Sequence, residues 1–375
     1  MKKLRITIFL LPMLLVGALL AQEASPSPTN DRTRKFSNEF LKIGVGARAF
    51  GMGQAQTATA NDATAGYWNP AAMVRKDALN YPEVAMMHAS YFANVGSLNY
   101  FGFAMPVDSA GDRYFGVSLV RFGVDDIPNT LGLVEADGTI NYDKLQSFST
   151  SQLATMFSYG AKIYGIEGLS AGASIKIVYQ SIGQFANAWG FGLDLGLRYQ
   201  KGNFQTGVTL VDITNTFNAW TFNTETFVDA FIQTGNDIPQ NSVELTQPSV
   251  RFGFAYDIGL GDKLSLLTAV DGQVTLDGNR PDALLASGGV SFDPKIGFEL
   301  AYLNPQFRKV AFLRGGAYNL QNGVNLDGER AFQLFPTIGA GIVLKNFYID
   351  YALSNVGDLS QNLYSHVVSL RFHIQ

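Results

Sequence analysis

The side chains able to do chemistry are few and poorly placed for it. Three histidines, at positions 88, 366 and 373, could meet in a zinc site only by bringing both ends of the chain together. The absence of cysteine removes thiolate ligands, a thiol nucleophile and any disulfide scaffold. Asp125-Asp126, Glu135 and Asp137-Gly138 gather carboxylates, but not at the spacing of a calcium loop, and a solvated turn accounts for them. Gly44-x-Gly46 lacks the third glycine of a dinucleotide fingerprint, and no helix start is evident behind it to receive a phosphate. No Ser-His-Asp order or paired-carboxylate pocket stands out, and a net charge of −4 without a basic run argues against nucleic acid. The chain reads as a non-enzyme with no metal, no cofactor and no nucleic-acid partner.

What remains is recognition by aromatic side chains. Phe217, Trp220, Phe222, Phe227, Phe231 and Ile232 fall in 214–247, a stretch with no strand alternation. Thr224-Glu225 can start a short helix that sets Phe227 and Phe231 on one face, four residues apart. Exposed aromatics at this density need a protein partner, an apolar ligand or their own fold's mouth to cover them. These five aromatics are the partner- or ligand-binding candidates.

A second informative stretch is Phe40 to Ala72, rich in Gly, Ala and Thr. Gly44, Gly46, Gly51, Gly53 and Gly66 permit close backbone approach, and Asn69-Pro70 forces an extended or turning dipeptide after Tyr67-Trp68. Such a bent, small-residue segment suits a plug inside a larger shell, or else a Gly-rich loop before the first strand.

The N-terminus carries an export signal. Lys2, Lys3 and Arg5 precede a mostly apolar run from Ile6 to Leu20, with Ala21 at a cleavage position, so residues 1–21 fit a Sec signal peptide. The run is shorter than the roughly twenty residues a spanning helix needs, and Pro12 interrupts it. Residues 22–35 have too little apolar content to fold alone and read as a flexible periplasmic lead-in.

Composition then selects the class. Hydrophobic residues make up 47% and aromatics 13%, while charged residues reach only 15%, against roughly 25% in soluble domains. From Glu83 onward, segments of about ten residues alternate apolar with small or polar positions, as strands facing lipid on one side must. Leu98–Met105, Tyr114–Phe122, Leu169–Tyr179, Trp189–Tyr199, Val250–Asp257 and Phe347–Leu353 show it well. In the last, Phe347, Ile349, Tyr351 and Leu353 share one face, and Tyr348, Asp350 and Ala352 the other.

Fifteen such segments can be counted, and a single-chain barrel needs an even number. Lys345-Asn346 fits a two-residue periplasmic hairpin, which puts 320–331 and 354–363 outside. A periplasmic start to the first strand puts Asn94–Gly96 outside as well. The two counts agree only if one segment between 264 and 303 does not span, and Ala283–Phe292 alternates least. The expected fold is therefore all-β, a 14-stranded antiparallel transmembrane barrel with an N-terminal hatch (36–80) in the lumen of a barrel over 81–375. Its two longest extracellular loops are 123–150 and 214–247. Charges at Asp194, Arg198, Arg251, Asp257, Glu299, Arg314 and Asp350 should face the lumen, because on the lipid face each would cost about 2–4 kcal/mol. Arg48 and Asp62 of the hatch are salt-bridge candidates for them, with packing alone as the other reading of both. Val367, Ser369 and Arg371 alternate against Val368, Leu370 and Phe372 in a last strand that resembles an outer-membrane insertion signal.

Ala47-Arg48-Ala49, Gly51-Met52-Gly53, Asn61-Asp62-Ala63-Thr64 and Tyr67-Trp68-Asn69-Pro70-Ala71 together resemble the N-terminal signature of the PorV/PorQ family, outer-membrane barrels related to the FadL transporters. Dedicated cargo shuttles of that family carry Pro-Asp before Ala-Arg-Ala, where this chain has Val45-Gly46, so the likeness is to the broader family. The resemblance implies fourteen strands and a hatch built on Gly44, Arg48, Gly51, Gly53, Asp62, Trp68, Asn69 and Pro70. It also implies a cell outer-membrane location amid lipid and lipopolysaccharide. Two functions follow from it. One is an accessory component of type IX secretion, with a translocon barrel, a sortase or cargo C-terminal domains as partners. The alternative is FadL-type transport of hydrophobic small molecules, with an apolar ligand.

Overall fold

The computed structural model describes residues 37–74, 81–91, 95–133, 135, 137–276, 283–287, 289–306, 308–324, 330–354 and 365–374. The expected signal peptide and lead-in lie outside the described residues, as do 75–80 of the expected hatch, Asn94, and much of the expected outer connections 320–331 and 354–363. Seventeen strands follow in chain order: β1 (Glu83–Tyr91), β2 (Gly96–Pro106), β3 (Arg113–Asn129), β4 (Gln146–Lys162), β5 (Leu169–Ile182), β6 (Ala186–Lys201), β7 (Phe204–Val211), β8 (Phe217–Phe222), β9 (Ser242–Leu245), β10 (Ser249–Leu260), β11 (Leu264–Thr275), β12 (Leu285–Ser287), β13 (Val290–Leu303), β14 (Lys309–Val324), β15 (Arg330–Leu344), β16 (Phe347–Ser354) and β17 (Ser365–His373). β8, β9 and β12 are short additions. The other fourteen pair antiparallel each with the next, and β17 returns to β1 in the register Glu83↔His373 to Ser90↔His366. Among the described residues, closure leaves the fourteen-stranded wall without a free edge, while the added β9 pairs with β8 alone.

The alternation in the sequence is the alternation of the wall. Along β6 the outward positions are Trp189, Phe191, Leu193, Leu195 and Leu197, while Gly190, Gly192, Asp194, Gly196 and Arg198 are buried toward the lumen. Phe101, Phe115, Phe157, Phe254, Phe298 and Leu313 are likewise exposed on other strands, an apolar exterior suited to lipid. In β16 Phe347, Ile349 and Tyr351 face out and Asp350 and Ala352 face in, as the sequence indicates. Fourteen spanning strands agree with the parity count, and the rejected segment holds only the three-residue β12 before β13 begins at Val290.

The connections between β3 and β4, β7 and β10, and β11 and β13 share one end of the barrel with the turn after β1. The turn at Lys345-Asn346, where Lys345 has φ 56°, lies at the other end, with the start of β1 and the end of β17.

Two loop expectations are corrected. β3 and β4 pair out to Asn129↔Gln146, so the first long connection shrinks to 130–145. Asp125-Asp126 therefore sits in a strand, at a register shift where Asp126 has φ 57°. The 214–247 stretch contains strand after all. β8 pairs with the outer half of β6 from Phe191↔Phe217 to Ala186↔Phe222, and β9 folds back on β8. Thr224–Thr226 forms a 3-10 turn and Val228–Thr234 a short helix, α-helical only from Val228.

Residues 37–74 fill the interior as a chain of single turns: 3-10 at Glu39–Lys42, helical at Ala47–Gly51 and Ala65–Trp68, and 3-10 at Pro70–Met73. They are almost entirely buried although few are large. Their backbone lies directly on the wall, where glycines leave room. Gly160, Gly172 and Gly196 are cross-strand neighbours on β4, β5 and β6, forming a groove for Asn69, Pro70 and Ala71. A Cβ on Gly172 would come within 2.5 Å of the Pro70 carbonyl carbon. On the opposite wall Gly53, with φ 56°, lies against the backbones of Ile296 and Ala317, again 2.5 Å from any added Cβ.

Replacing Gly172 with Val should therefore unseat this segment without disturbing the outer face. Overpacking of this kind costs about 1–3 kcal/mol. The expected readout is a lower unfolding midpoint together with new protease cleavage inside residues 37–74. Gly259→Ala, at a position with nothing within 4 Å, should leave both unchanged.

Candidate functional site

The site is the seam between the inner segment and the barrel wall. Arg48, on the single turn Ala47–Gly51, sends Nε to Glu299 Oε2 at 2.9 Å and Nη1 to Gln56 Oε1 and the Thr59 carbonyl. Glu299 on β13 also takes Arg314 Nε at 2.7 Å, and Arg314 Nη1 reaches Asp350 Oδ1 on β16 at 2.6 Å. Burial works against the Arg48 charge, and the Glu299 carboxylate outweighs it, so the guanidinium pKa stands above its ordinary value. The four alternating charges tie the inner segment to three strands.

Other pairs repeat the device around the lumen. Arg371 on β17 meets Asp62 at 3.2 Å, while Asp62 Oδ1 accepts from Thr64 N and Oγ1 and so turns the chain into Ala65–Trp68. Glu83 on β1 bridges His373 Nε2, at 2.7 Å, and the Ala63 N–H, at 2.6 Å. Arg198 donates to the carbonyls of Ala58 and Val74 and to Gln205. Asn69 caps Pro70–Met73 through Ala71 N and donates to the carbonyls of Thr57 and Leu197. Ser158 and Ser174 both donate to the Gly66 carbonyl. Trp68 Nε1 donates to the Val45 carbonyl, and its ring stands edge-on to Tyr67 at 5.0 Å.

Most of the inward charges foreseen from the sequence thus meet partners here; Arg48 pairs with one of them, Glu299, whereas Asp62 takes Arg371, which lay outside the foreseen set. Asp257 faces inward near the barrel end and pairs with Lys309 at 2.6 Å instead. Lys176, Asp212, Asp271, Lys295 and Arg371 were missed. The signal for all but Asp212 was the one that found the others, a charge within an alternating strand. Lys176 on β5 pairs with Asp194 at 2.9 Å and with Asp212. Asp212 has φ 56° and starts the jog between β7 and β8, where Thr216 Oγ1 donates to its carboxylate. Thr216 packs on Gly192, so the wall stays filled at the jog.

The helix start behind Gly46, unseen in the sequence, is present, but its donors are occupied: Gly46 N by Met87 Sδ and Ala47 N by Ser369 Oγ. Two gaps among the described residues of the seam are water-sized. One of about 30 Å³ lies among Tyr67, Trp68, Lys176, Arg251, Thr275 and Lys295, and one of about 20 Å³ beside Arg48, Asp62, Tyr100 and Arg371. Each holds about one or two waters.

The five candidate aromatics do not form one surface. Phe217 faces outward beside Phe191 at 5.9 Å, whereas Trp220 and Phe222 stack together on the other face of β8. Phe227 is buried against Phe185 and Phe231, and Phe185 in turn against Phe148. Phe227 and Phe231 do share one side of a helical turn, their rings 5.0 Å apart.

Removing one end of the Arg48–Glu299 pair should strand a buried charge. Arg48→Met is expected to cost about 3–5 kcal/mol. The double variant Arg48→Met/Glu299→Gln should cost clearly less than the two single changes added together, as read from denaturant unfolding of the folded barrel.

Comparison with solved structures gives the same architecture. TbuX, a toluene transporter of Ralstonia pickettii, is 15% identical with a TM-score of 0.50, over 88% of this chain and 99% of that one. The CymD monoaromatic hydrocarbon channel is 12% identical with a TM-score of 0.50, over 89% and 98%. A deltaS2 mutant of the TodX monoaromatic hydrocarbon channel is 14% identical with a TM-score of 0.52, over 91% and 100%. At these identities the likeness is one of fold. No curated protein matches the sequence. Residues 17–257, well over half of the chain, match the model described as "Uncharacterised protein family (UPF0164)", and the chain belongs to that family.

Proposed function

We propose that this protein is an outer-membrane channel for small apolar molecules, exported by its N-terminal signal, with residues 37–74 as a movable hatch. One observation carries the proposal: a barrel of the fold shared with toluene and monoaromatic hydrocarbon channels has its lumen filled by a segment held through buried hydrogen bonds and ion pairs as well as apolar packing. The polar contacts among these exchange for water at little net cost. The gaps of about 30 and 20 Å³ among the described residues of the seam fit this conformation as the closed one, in which passage requires the hatch to shift.

Protein handling in a type IX secretion machine is the second reading. It is favoured by the PorV/PorQ-like motif and by the aromatic connection after β7. The inward packing of Phe227 and the stacking of Trp220 on Phe222 leave that connection less apolar surface for a partner, which ranks this reading below transport.

The absence of native cysteine allows a clean test. A Cβ at Gly66 would lie 3.4 Å from Ser158 Cβ, at the short edge of disulfide geometry, about 3.5 Å and above. Cells making Gly66→Cys/Ser158→Cys protein should take up radiolabelled toluene when reduced and lose that uptake when oxidised. Equal uptake in both states would dismiss a movable hatch, and uptake no greater than in cells lacking the protein would dismiss transport.

A further inference from the structure

We infer that the seam holds a binding site for one small inorganic anion of chloride size, between the Tyr67-Trp68 pair and strands β10 to β13. Four lumenal cations meet carboxylates: Arg48 and Arg314 share Glu299, Lys176 holds Asp194 and Asp212, and Arg371 holds Asp62. Arg251 on β10 and Lys295 on β13 are different. Among the described residues neither has a carboxylate within ion-pair distance, and both line the gap of about 30 Å³. Arg251 Nε is buried without an acceptor, and the Thr275 hydroxyl in the same lining is buried without a partner. Lys295 has one long contact, 3.4 Å to Gln54 Oε1.

The aromatic faces offer these cations only partial compensation. The Arg251 guanidinium lies 5.8 Å from the ring centres of both Tyr67 and Trp68, and Lys295 Nζ lies 5.9 Å from Trp68. These distances are near the outer limit of about 6 Å for a cation over a ring, and they leave Arg251 Nε without an acceptor. Of the neighbouring carboxylates, Asp194 and Asp212 are held by Lys176, Asp271 accepts the Thr57 N–H through Oδ2 at 2.7 Å while its Oδ1 is buried without a partner, and Asp293 lies two positions before Lys295 on β13. Two half-buried positive groups beside an orphan hydroxyl, around a space fit for one or two waters, form an anion site. Its size excludes a bulky organic acid and admits a halide. The cations come from the wall and the rings from the inner segment, so a bound anion fixes one against the other.

The test uses the full mature barrel in detergent at constant ionic strength. Sodium chloride or bromide replacing sodium gluconate, whose anion is too large for the gap, should raise the unfolding midpoint by a few degrees and saturate, as a ligand of the native state does. Arg251→Gln should lose that response. Arg251→Gln/Lys295→Gln in gluconate should be at least as stable as the unchanged protein in gluconate, since two uncompensated charges are gone; a merely structural pair would lose stability. Should these variants fail to fold, bromide anomalous scattering from the unchanged protein decides, with a peak expected between Trp68 and Arg251. No difference between chloride and gluconate, a full response in Arg251→Gln, or bromide peaks only at the outer surface would overturn the inference.

Discussion

A strand that crosses a membrane can carry charge on one face only. In this chain that constraint drives Asp194, Arg198, Glu299, Arg314 and Asp350 inward, opposite the outward Leu195, Leu197, Phe298, Leu313 and Tyr351. A lumen lined this way is a set of unmet charges. Water alone could serve them in a wide pore, but a fourteen-stranded barrel with backbone packed inside has no room for that much water. The inner segment therefore has to be polar in its contacts and small in its side chains. More than half of residues 37–74 are Gly, Ala, Ser, Thr or Asn, and Arg48 and Asp62 are the buried charges among them.

The fit of segment to wall is made by backbone. Glycines on neighbouring strands let Pro70 and Met52 lie against the sheet itself, and serines at 158, 170 and 174 supply donors for carbonyls that a non-repeating chain leaves free. Such an interior mixes two kinds of packing: Phe50, Trp68 and Met73 join an apolar cluster with Ala85, Leu98 and Val178 of the wall, and Lys176, Gln56 and Glu83 are buried beside it. The buried charges separate the inner face of this barrel from that of a soluble sandwich of the same alternation.

How much of this the sequence discloses depends on the range of the interaction. Alternation is local and of period two, so the wall, the rejected span at 283–292 and the direction of most charges are legible residue by residue. The pairings are not. Arg371 finding Asp62, or Lys176 finding Asp212, depends on register across strands far apart in the chain, and no local pattern encodes it. The failure at 214–247 has the same origin. β8 is six residues long and draws its order from β6, so its short pattern, with Asn218 buried between Phe217 and Ala219, passes for a loop. The Gly160–Gly172–Gly196 groove is a third case, for its glycines are separated in sequence and meet only when β4, β5 and β6 pair in register.

The jog between β7 and β8 shows what the charges do beyond solvating the lumen. β7 stops after eight residues, and Asp212 and Asn215 take left-handed backbone, with φ 56° and 51°, before β8 resumes beside β6. Non-glycine residues adopt that conformation only where their surroundings compensate. Here Lys176 holds the Asp212 carboxylate, Thr216 donates to the same carboxylate, and Asp194 Oδ1 accepts the Asp212 N–H at 2.8 Å. The irregularity in the wall is thus fixed from inside, by the same buried charge that membrane insertion forces off the outer face. Ser37 and Asn38, at the start of the described inner segment, reach Asn218 and Thr246 just beyond the jog. Wall, jog and inner segment form one polar network, so a movement of the segment that broke the Asn38 contacts would also loosen the wall at its least regular point.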